Sequence, residues 1–216
     1  MDEENTMILA SIVHDLRTPL TRVALAVELL SATGNAALID SARRNINDME
    51  VLIAQILDYA RTGTLEKTGH ADLNRLVQEC AECHATYGQP LRLSLQVLPQ
   101  ANLCTQSIRR ALDNLIVNAL RYAGTEVLIE TRHVNGMARV SVMDRGPGIP
   151  ATEIERLKQP FVRGRQSAQV RGTGLGLAIV EGVARAHGGM LVLAPRDGGG
   201  LEAHIHLPLR GNSVTA

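Results

Sequence analysis

Aromatic residues are scarce in this sequence, which has one phenylalanine, three tyrosines and no tryptophan among 216 residues. Proteins that bind single-stranded nucleic acid stack its bases on aromatic rings, and this chain has few residues for that purpose. An excess of either charge is also missing, because 22 basic residues balance 22 acidic ones. A neutral chain lacks the basic surface typical of proteins that bind duplex DNA or anionic membranes. We therefore expect no nucleic-acid partner.

Long apolar runs and a cysteine framework are missing as well. No segment approaches the ~20 apolar residues that span a bilayer, and the opening residues, MDEEN, are acidic and unlike an export signal. The three cysteines, Cys80, Cys83 and Cys104, are too few and too irregularly spaced for a disulfide scaffold. We expect a chain that is soluble as given and cytoplasmic.

Residues 6–62 have the periodicity of a helical hairpin. Apolar residues from Leu9 to Leu30 recur at alternating spacings of four and three, and the pattern repeats from Ala42 to Ala60. The segment SATGN between the two arms supplies a turn. Because two helices with one narrow seam each bury little surface, we predict a homodimer in which two hairpins form a four-helix bundle.

Helices and strands are interspersed after the linker RTGTLEKTGH. The predicted helices are DLNRLVQECAECHATYG, SIRRALDNLIVNALRYAG and GLGLAIVEGVARAHGG, with LRLSLQVL as a single strand. Two strand pairs form predicted β-hairpins: VLIETRHV with ARVSVMD, joined by Asn135-Gly136, and MLVLAPR with LEAHIHLP. The sequence thus predicts an α+β chain, with the hairpin at 1–65, a two-layer α/β sandwich at 66–210 and a disordered tail at 211–216.

A candidate nucleophile lies on the first arm, in the segment HDLRTPL. His14 is one residue off the apolar seam, Asp15 is adjacent, and Thr18 follows one turn later on the same face. An unperturbed imidazole, with a pKa near ~6.5, keeps a lone pair that can attack an electrophile. A carboxylate bound to the other ring nitrogen would stabilise the cation that forms. The same pattern also fits a surface histidine on a coiled coil.

Two glycine clusters indicate a nucleotide site. Asp144 ends a predicted strand, and Gly146 and Gly148 allow a ligand to approach the backbone, although Asp-x-Gly is also a common turn. A carboxylate there can accept a hydrogen bond from an exocyclic amine such as that of adenine. The segment from Gly172 to Leu177 opens a helix whose amides can bind phosphate. A dinucleotide fold is excluded because the preceding RGRQSAQVR is too polar for a buried strand, and no P-loop motif occurs.

Two further patterns accompany these clusters. The basic stretch 151–171 predicts either a lid over a polyphosphate or a solvated loop. Asn114 and Asn118 share one helix face, with Arg121 and Tyr122 just beyond. Asparagine is mildly unfavourable within a helix, and its amide oxygen suits Mg²⁺, although a solvated asparagine is the alternative.

The motifs HDLRTPL, DNLIVNALRY, DRGPGIP, FVRG and GTGLGLAIV resemble, in this order, the H, N, G1, F and G2 boxes of two-component sensor histidine kinases. VHDLRTPLTR is particularly similar to the EnvZ type. The resemblance implies a dimerisation and histidine-phosphotransfer hairpin (HisKA) followed by an ATP-binding domain of the Bergerat, or GHKL, type (HATPase_c). It implies ATP and Mg²⁺ as ligands and a response regulator receiver domain as partner.

The resemblance also assigns roles to residues. It makes His14 the phosphoacceptor, Asp15 its hydrogen-bond partner and base, and Thr18 the residue that positions water for dephosphorylating the partner. It makes Asn118 the Mg²⁺ ligand and Phe161 the anchor of the lid. The implied nucleotide-binding residues are Asn114, Asn118, Arg121, Tyr122, Asp144, Gly146, Gly148, Arg163, Gly164, Gly172, Thr173, Gly174, Leu175, Gly176 and Leu177.

Domain motion and membrane attachment are also expected. His14 and the nucleotide site lie on different predicted domains, so Gly63 and Gly69 of the linker are predicted to permit their approach. The given sequence has no sensor region before His14, so it is either the cytoplasmic portion of a membrane receptor or a naturally soluble kinase. We favour the first, in which the full-length protein sits in a bacterial inner membrane through an N-terminal sensor region. Whether phosphotransfer runs within a subunit or across the dimer stays open.

Other functions were weighed. A GHKL ATPase that performs conformational work needs no histidine such as His14, and a non-catalytic scaffold needs no full set of nucleotide residues. Cys80-Ala-Glu-Cys-His84 matches the pattern for haem attachment, and with Cys104 it could bind zinc. Because it lies in a predicted helix without an export signal, we expect ordinary core or surface cysteines.

Overall fold

The computed structural model describes residues 16–30, 36–60, 67–85, 91–123, 126–164 and 172–209. Residues 16–30 are helical and form α1, and the long helix α2 spans Ala36–Ala60. These two helices are the arms of the predicted hairpin. The turn at 31–35 lies outside the described residues, as do His14, Asp15, Gly63 and the tail 211–216.

The hairpin leaves much of its apolar surface uncovered within one chain. Ala26 of α1 and Leu52 of α2 are buried. Four residues of the predicted seam are between 45% and 57% exposed: Leu20, Val27, Ile46 and Ile53. Burying a side chain of this size contributes about 1.5–3 kcal/mol, so covering this stripe would be favourable.

In its described residues, the second unit contains three longer helices, a short helical segment and seven strands. The helices are α3 (Leu73–Ala85), α4 (Thr105–Ala123), α5 (Ile154–Leu157, after a 3₁₀ turn at Ala151–Glu153) and α6 (Gly176–Ala186). The strands are β1 (Gly69–Ala71), β2 (Leu91–Leu95), β3 (Ala101–Leu103), β4 (Val127–Val134), β5 (Met137–Met143), β6 (Met190–Pro195) and β7 (Leu201–Pro208).

Five strands form one mixed sheet in the order β2-β4-β5-β7-β6, in which only the β2–β4 pair is parallel. The turn between β4 and β5 is the predicted one: Asn135 and Gly136 have φ values of 51° and 77°. Two consecutive positive φ angles are what a type I′ turn requires, and asparagine and glycine reach them at little cost. Both predicted β-hairpins are confirmed.

Two short strands were missed, and one predicted strand is shorter than expected. β1 pairs with β3 in a separate two-stranded sheet, in which Gly69 lies opposite Leu103. Three residues are too few to display an alternating pattern, so neither strand was predicted. β1 begins within the segment that was predicted to be a linker. The expected flexible linker is therefore corrected at Gly69, which lies in a paired strand. β2 ends at Leu95, whereas LRLSLQVL predicted a strand to Leu98.

One face of the five-stranded sheet packs against α3, α4 and α6. Alternate residues of β4 and β5, such as Val127, Ile129 and Val140, point into this layer and are fully buried. Ile116 of α4 and Ile179 of α6 meet them from the helical side and belong to the same core. The predicted two-layer α/β sandwich is confirmed.

A buried histidine ties the end of α6 to the start of α4. His187 is 8% exposed, and its Nε2 accepts a hydrogen bond from the backbone N–H of Cys104 at 3.0 Å. The other ring nitrogen, Nδ1, therefore carries the proton and donates to the carbonyl of Val183 at 2.8 Å. Both ring nitrogens thus serve the backbone.

We predict that His187→Ala lowers the free energy of unfolding by about 1–3 kcal/mol, because it leaves the buried N–H of Cys104 without an acceptor. Urea denaturation measures the change. The matched control is His133→Ala, an exposed residue of β4, for which a change within about 0.5 kcal/mol is expected. Equal losses in the two variants would contradict the role of His187.

Candidate functional site

A cavity of about 300 Å³ opens between α4, the ends of β5 and β7, and the start of α6. It brings together all but two of the nucleotide-binding residues that the sequence suggested. Those that line it are Asn114, Asn118, Arg121, Tyr122, Asp144, Gly148, Arg163, Gly164, Gly172, Thr173, Gly174, Gly176 and Leu177. Segments up to 63 positions apart along the chain thus form a single site.

The two remaining residues, Gly146 and Leu175, support the cavity from behind. The backbone N–H of Gly146 donates to Oδ1 of Asp144 at 2.7 Å. A Cβ at Gly146 would lie only 2.5 Å from the carbonyl oxygen of Tyr122, so a side chain there would push β5 away from α4. Leu175 is fully buried just before α6 and packs into the core. Both residues therefore shape the site without lining it.

Asp144 is a buried carboxylate at the end of β5, with 5% of its surface exposed. Its Oδ1 accepts hydrogen bonds from the backbone N–H groups of Gly146, at 2.7 Å, and Leu201, at 3.3 Å. Burial raises the pKa of Asp144, while these two hydrogen bonds and the charge of Arg196 oppose that rise. Oδ2 accepts no hydrogen bond from the described residues, so one oxygen stays available to a donor on a ligand.

The walls around Asp144 are apolar. Val142 of β5, Leu201 and Ala203 of β7, and Ile149 of the following loop line the same cavity. The sequence did not predict these residues as part of the site. The alternation of the three strand residues marks them as sheet core and gives no sign of a ligand, and Ile149 is an ordinary apolar loop residue. Apolar walls with one well-placed acceptor suit a flat heterocycle that carries an amino group.

The glycine-rich segment before α6 is fixed to the loop that carries the FVRG motif. Gly174 has a φ of +74°, and a Cβ on it would lie 2.8 Å from the backbone of Phe161 and Val162. The N–H of Phe161 donates to the carbonyl of Gly174 at 3.1 Å. Phe161 itself has a φ of +62°, which is unfavourable for a residue with a side chain. This strained contact joins the base of the predicted lid to the phosphate-binding segment.

The predicted lid carries less free positive charge than its composition suggests. Arg156 pairs with Glu153 at 3.3 Å, and Lys158 pairs with Glu155 at 2.8 Å. Both pairs lie in or next to the short helix α5. Arg163 lines the cavity, whereas the stretch 165–171 lies outside the described residues.

Two asparagine amides sit against the first turn of α6. Asn114 Nδ2 donates to the carbonyl of Arg110 at 2.8 Å, which turns its Oδ1 towards α6. A Cβ on Gly176 would lie 3.1 Å from Asn114 Oδ1 and 3.3 Å from Asn118 Nδ2. A larger residue than glycine would therefore press on both amides, which places them beside the N-terminus that can bind phosphate.

The side-chain oxygen ligands at this end of the cavity suit an Mg²⁺ ion that is held mainly by the phosphates of a nucleotide. Among the described residues, no group of three His, Cys, Asp or Glu side chains is arranged to hold a metal ion. Mg²⁺ commonly takes one or two protein oxygens and completes its shell with phosphate oxygens and water. The single amide of Asn118 next to the glycine-rich segment matches that requirement.

The Cys-x-x-Cys-His segment belongs to the packing of α3. Cys80 is buried, and burial together with the charge of Asp113 raises its pKa to about 12. Cys83 is exposed. His84 Nε2 lies 3.0 Å from Asp113 Oδ1 on α4. The two cysteines differ in burial and the histidine has a hydrogen-bond partner in Asp113, so the segment has a structural explanation.

Helix α2 reaches the opening of the cavity, a contact that the sequence analysis did not predict. Thr173 donates its hydroxyl to Oε1 of Gln55 at 2.6 Å, and Gln55 also lines the cavity. Close by, Asp58 forms a 3.1 Å ion pair with Arg110 of α4. Tyr59 packs partly buried against the core of the second unit. No local pattern could reveal this contact, because it joins two separately patterned parts of the chain.

The remaining predicted residue of the hairpin that is described, Thr18, is exposed on α1. In the parts of the chain that the structure describes, no helix combines the length and apolar character needed to cross a membrane.

Comparison with known proteins identifies both halves. Residues 4–65 match the family model described as the His Kinase A (phospho-acceptor) domain, and residues 105–211 match that of the histidine kinase-, DNA gyrase B- and HSP90-like ATPases. The adaptive-response sensory kinase SasA of Synechococcus sp. (strain JA-2-3B'a(2-13)) is 33% identical over 94% of this chain and 59% of its own length. The sensor histidine kinase GtrS of Pseudomonas aeruginosa is 32% identical, over 96% of this chain and 43% of its own. The chain thus spans about half the length of these relatives.

Solved structures of histidine kinases have the same fold as this chain. The Acinetobacter baumannii histidine kinase AdeS has the same fold, with a TM-score of 0.75 at 20% identity, covering 92% of this chain and 98% of that one. The histidine kinase domain of the Escherichia coli osmosensor EnvZ is 33% identical with a TM-score of 0.54, covering 71% of this chain and 96% of that domain. With both family models matched in order and this likeness to EnvZ, the chain belongs to the sensor histidine kinases.

Proposed function

We propose that this chain transfers the γ-phosphoryl group of ATP to His14 and then to an aspartate of a response regulator receiver domain. The observation that carries the proposal is the cavity in which Asp144, Asn118 and the glycine-rich segment face one another. It lies in the same chain as the HDLRTPL segment. Membership in the family supports both steps.

In this proposal, ATP lies with its base between the apolar walls and its phosphates at the start of α6. Oδ2 of Asp144 accepts a hydrogen bond from the adenine amino group, while Oδ1 is held by the backbone. The backbone N–H groups that open α6 bind the phosphates, and Arg163 contributes positive charge at the cavity wall. Asn118 holds Mg²⁺, which when bound offsets negative charge on the phosphates.

His14 is the proposed nucleophile. A ring nitrogen attacks the γ-phosphorus in line, a phosphorus–nitrogen bond forms, and the bond to the ADP oxygen breaks. Asp15 accepts a hydrogen bond from the other ring nitrogen and stabilises the positive charge that develops on the ring. The phosphoramidate then donates its phosphoryl group to the partner's aspartate. In the separate phosphatase reaction of this proposal, Thr18, which is exposed on α1, orients a water molecule that hydrolyses the phosphoaspartate of the partner.

Two further features of the proposal concern assembly. The exposed apolar stripe on α1 and α2 supports a homodimer, since a second hairpin would cover it. The full-length protein is proposed to place this chain on the inner face of a membrane through a sensor region.

In this proposal, helix α2 moves away from the second unit when His14 approaches bound ATP. The contacts that hold it are the hydrogen bond between Gln55 and Thr173 and the ion pair between Asp58 and Arg110. Because Thr173 belongs to the phosphate-binding segment, the Gln55 contact competes with bound phosphates for the same hydroxyl.

We predict that the double variant Gln55→Ala/Asp58→Asn phosphorylates itself about 2- to 10-fold faster at saturating ATP. The substitutions remove two polar contacts of about 0.5–1.5 kcal/mol each from the arrangement in which α2 is docked. Only part of this free energy becomes available to favour the arrangement in which α2 is released. Initial rates of label incorporation measure the change. Asn47→Ala, exposed on α2, is the matched control and should leave the rate unchanged. An unchanged or slower double variant would contradict the proposed release.

The central reaction is tested with γ-labelled ATP and Mg²⁺, comparing the natural chain with His14→Ala. We expect a label that is lost in acid, survives alkali and is absent from His14→Ala, because a phosphoramidate has this stability. His70→Ala, exposed on β1, is the control and should be labelled normally. Release of free phosphate at the same rate from all three chains, without labelled protein, would instead indicate an ATPase.

A further inference from the structure

The β6–β7 loop, residues 196–200, folds back over the main chain of Asp144. Arg196 Nη1 donates to the carbonyl of Asp144 at 3.0 Å. Immediately after the loop, the N–H of Leu201 donates to Oδ1 of Asp144, and the N–H of Asp144 donates to the carbonyl of Leu201 at 3.0 Å. Apart from the bond from Gly146, every hydrogen bond that the structure gives Asp144 comes from this loop or its boundary.

The loop also lies unusually close to Asp144. Gly200 has a φ of +108°, and a Cβ on it would lie 2.1 Å from the carbonyl oxygen of Asp144. Its own carbonyl oxygen would lie 2.8 Å from a Cβ on Gly148, which lines the cavity. Only a residue without a side chain permits this approach. The loop backbone therefore packs directly against the main chain at both Asp144 and Gly148, at the end of the site that is proposed to bind the base.

We propose that the β6–β7 loop is a positioning element for the proposed ATP site, and that Arg196 is a positioning residue that fixes the main chain of Asp144 and places a positive charge near its carboxylate. The proposal rests on the proposed function, because it assumes that Asp144 binds the adenine amine. Arg196 does not line the cavity. It acts on a bound base only through Asp144.

The charge of Arg196 bears on the same carboxylate. Burial raises the pKa of Asp144, and Arg196 favours its ionised form together with the N–H groups of Gly146 and Leu201. The neighbouring Arg145 directs its guanidinium to the carbonyls of Asp197 and Gly199, away from the carboxylate. From α4, Tyr122 and Arg121 line the cavity beside it. Arg196 is thus the basic side chain that opposes protonation of Asp144.

The sign of the pH effect follows. Because Oδ1 accepts from two backbone N–H groups, protonation of Asp144 would place the proton on Oδ2, where it opposes the donor of the adenine amine. ATP affinity therefore falls as pH drops through the pKa of Asp144. Removing Arg196 raises that pKa further, because an opposing positive charge is lost. The pH at which ATP affinity is halved must then move upward in the variant.

The experiment measures the affinity of the intact chain for a non-hydrolysable ATP analogue, and for the purine triphosphate that lacks the 6-amino group, between about pH 5 and pH 8. Arg196→Gln is compared with Arg196→Lys, which restores the charge, and with Arg132→Gln, an exposed arginine of β4. We expect Arg196→Gln to lower the affinity for the ATP analogue about 3- to 10-fold at neutral pH. We also expect a raised pH midpoint, an unchanged affinity for the amine-free nucleotide, and substantial recovery in Arg196→Lys.

Two results would overturn the proposal. One is an equal loss of affinity for both nucleotides in Arg196→Gln, which indicates a general loss of structure. The other is no loss of affinity for either nucleotide. Unchanged binding of the amine-free nucleotide shows in the same experiment that the variant is folded. If the natural chain bound neither nucleotide, the proposed function itself would fail. If instead the natural chain and Arg196→Gln bound ATP equally well, only the role proposed for Arg196 would fail.

Discussion

A carboxylate buried at the end of β5 is the constraint around which the nucleotide domain is arranged. Removing Asp144 from water is unfavourable for its charged form, and the protein compensates with backbone N–H groups on one oxygen and a nearby guanidinium. Those donors come from segments that surround β5: the turn that follows it, the start of β7 and the β6–β7 loop. The glycines at 146 and 200 permit the close approach that this requires. The geometry of this side chain therefore depends on β7 lying next to β5 in the sheet.

The second part of the site depends on helices rather than strands. Helix α4 brings two amides against the first turn of α6, and the glycine-rich segment before α6 is held by the strained backbone at Phe161. These contacts place the start of α6 within one cavity with Asp144. In the proposed function, the base is recognised at the sheet and the phosphates at the helix. The reacting end of a bound ATP would then face the opening where α2 lies.

Much of this architecture could be predicted from the sequence, for identifiable reasons. The helix and strand periodicities are long, and the Asn135-Gly136 turn has one favoured geometry, so the α/β sandwich was recognisable. The glycine clusters and the asparagine pair are local patterns, and the cavity contains nearly all their residues.

The failures have a physical cause too. The strands β1 and β3 are too short to alternate, and Gln55, Arg196 and Gly200 act through contacts between distant segments. A single sequence marks which residues are unusual. It does not mark an ordinary glutamine or arginine that the fold happens to bring to the site.

The most direct test of the account is the affinity for ATP of Asp144→Asn, compared with Asp197→Asn, an exposed aspartate of the β6–β7 loop. The asparagine oxygen must accept from Gly146 and Leu201, so its NH₂ group would face the adenine amine, donor against donor. We expect Asp144→Asn to weaken ATP binding by about 10- to 100-fold, the range for a polar group left unpaired in a buried site. Asp197→Asn should change it less than about 2-fold. Equal affinities in the two variants would contradict the claim that Asp144 recognises the base.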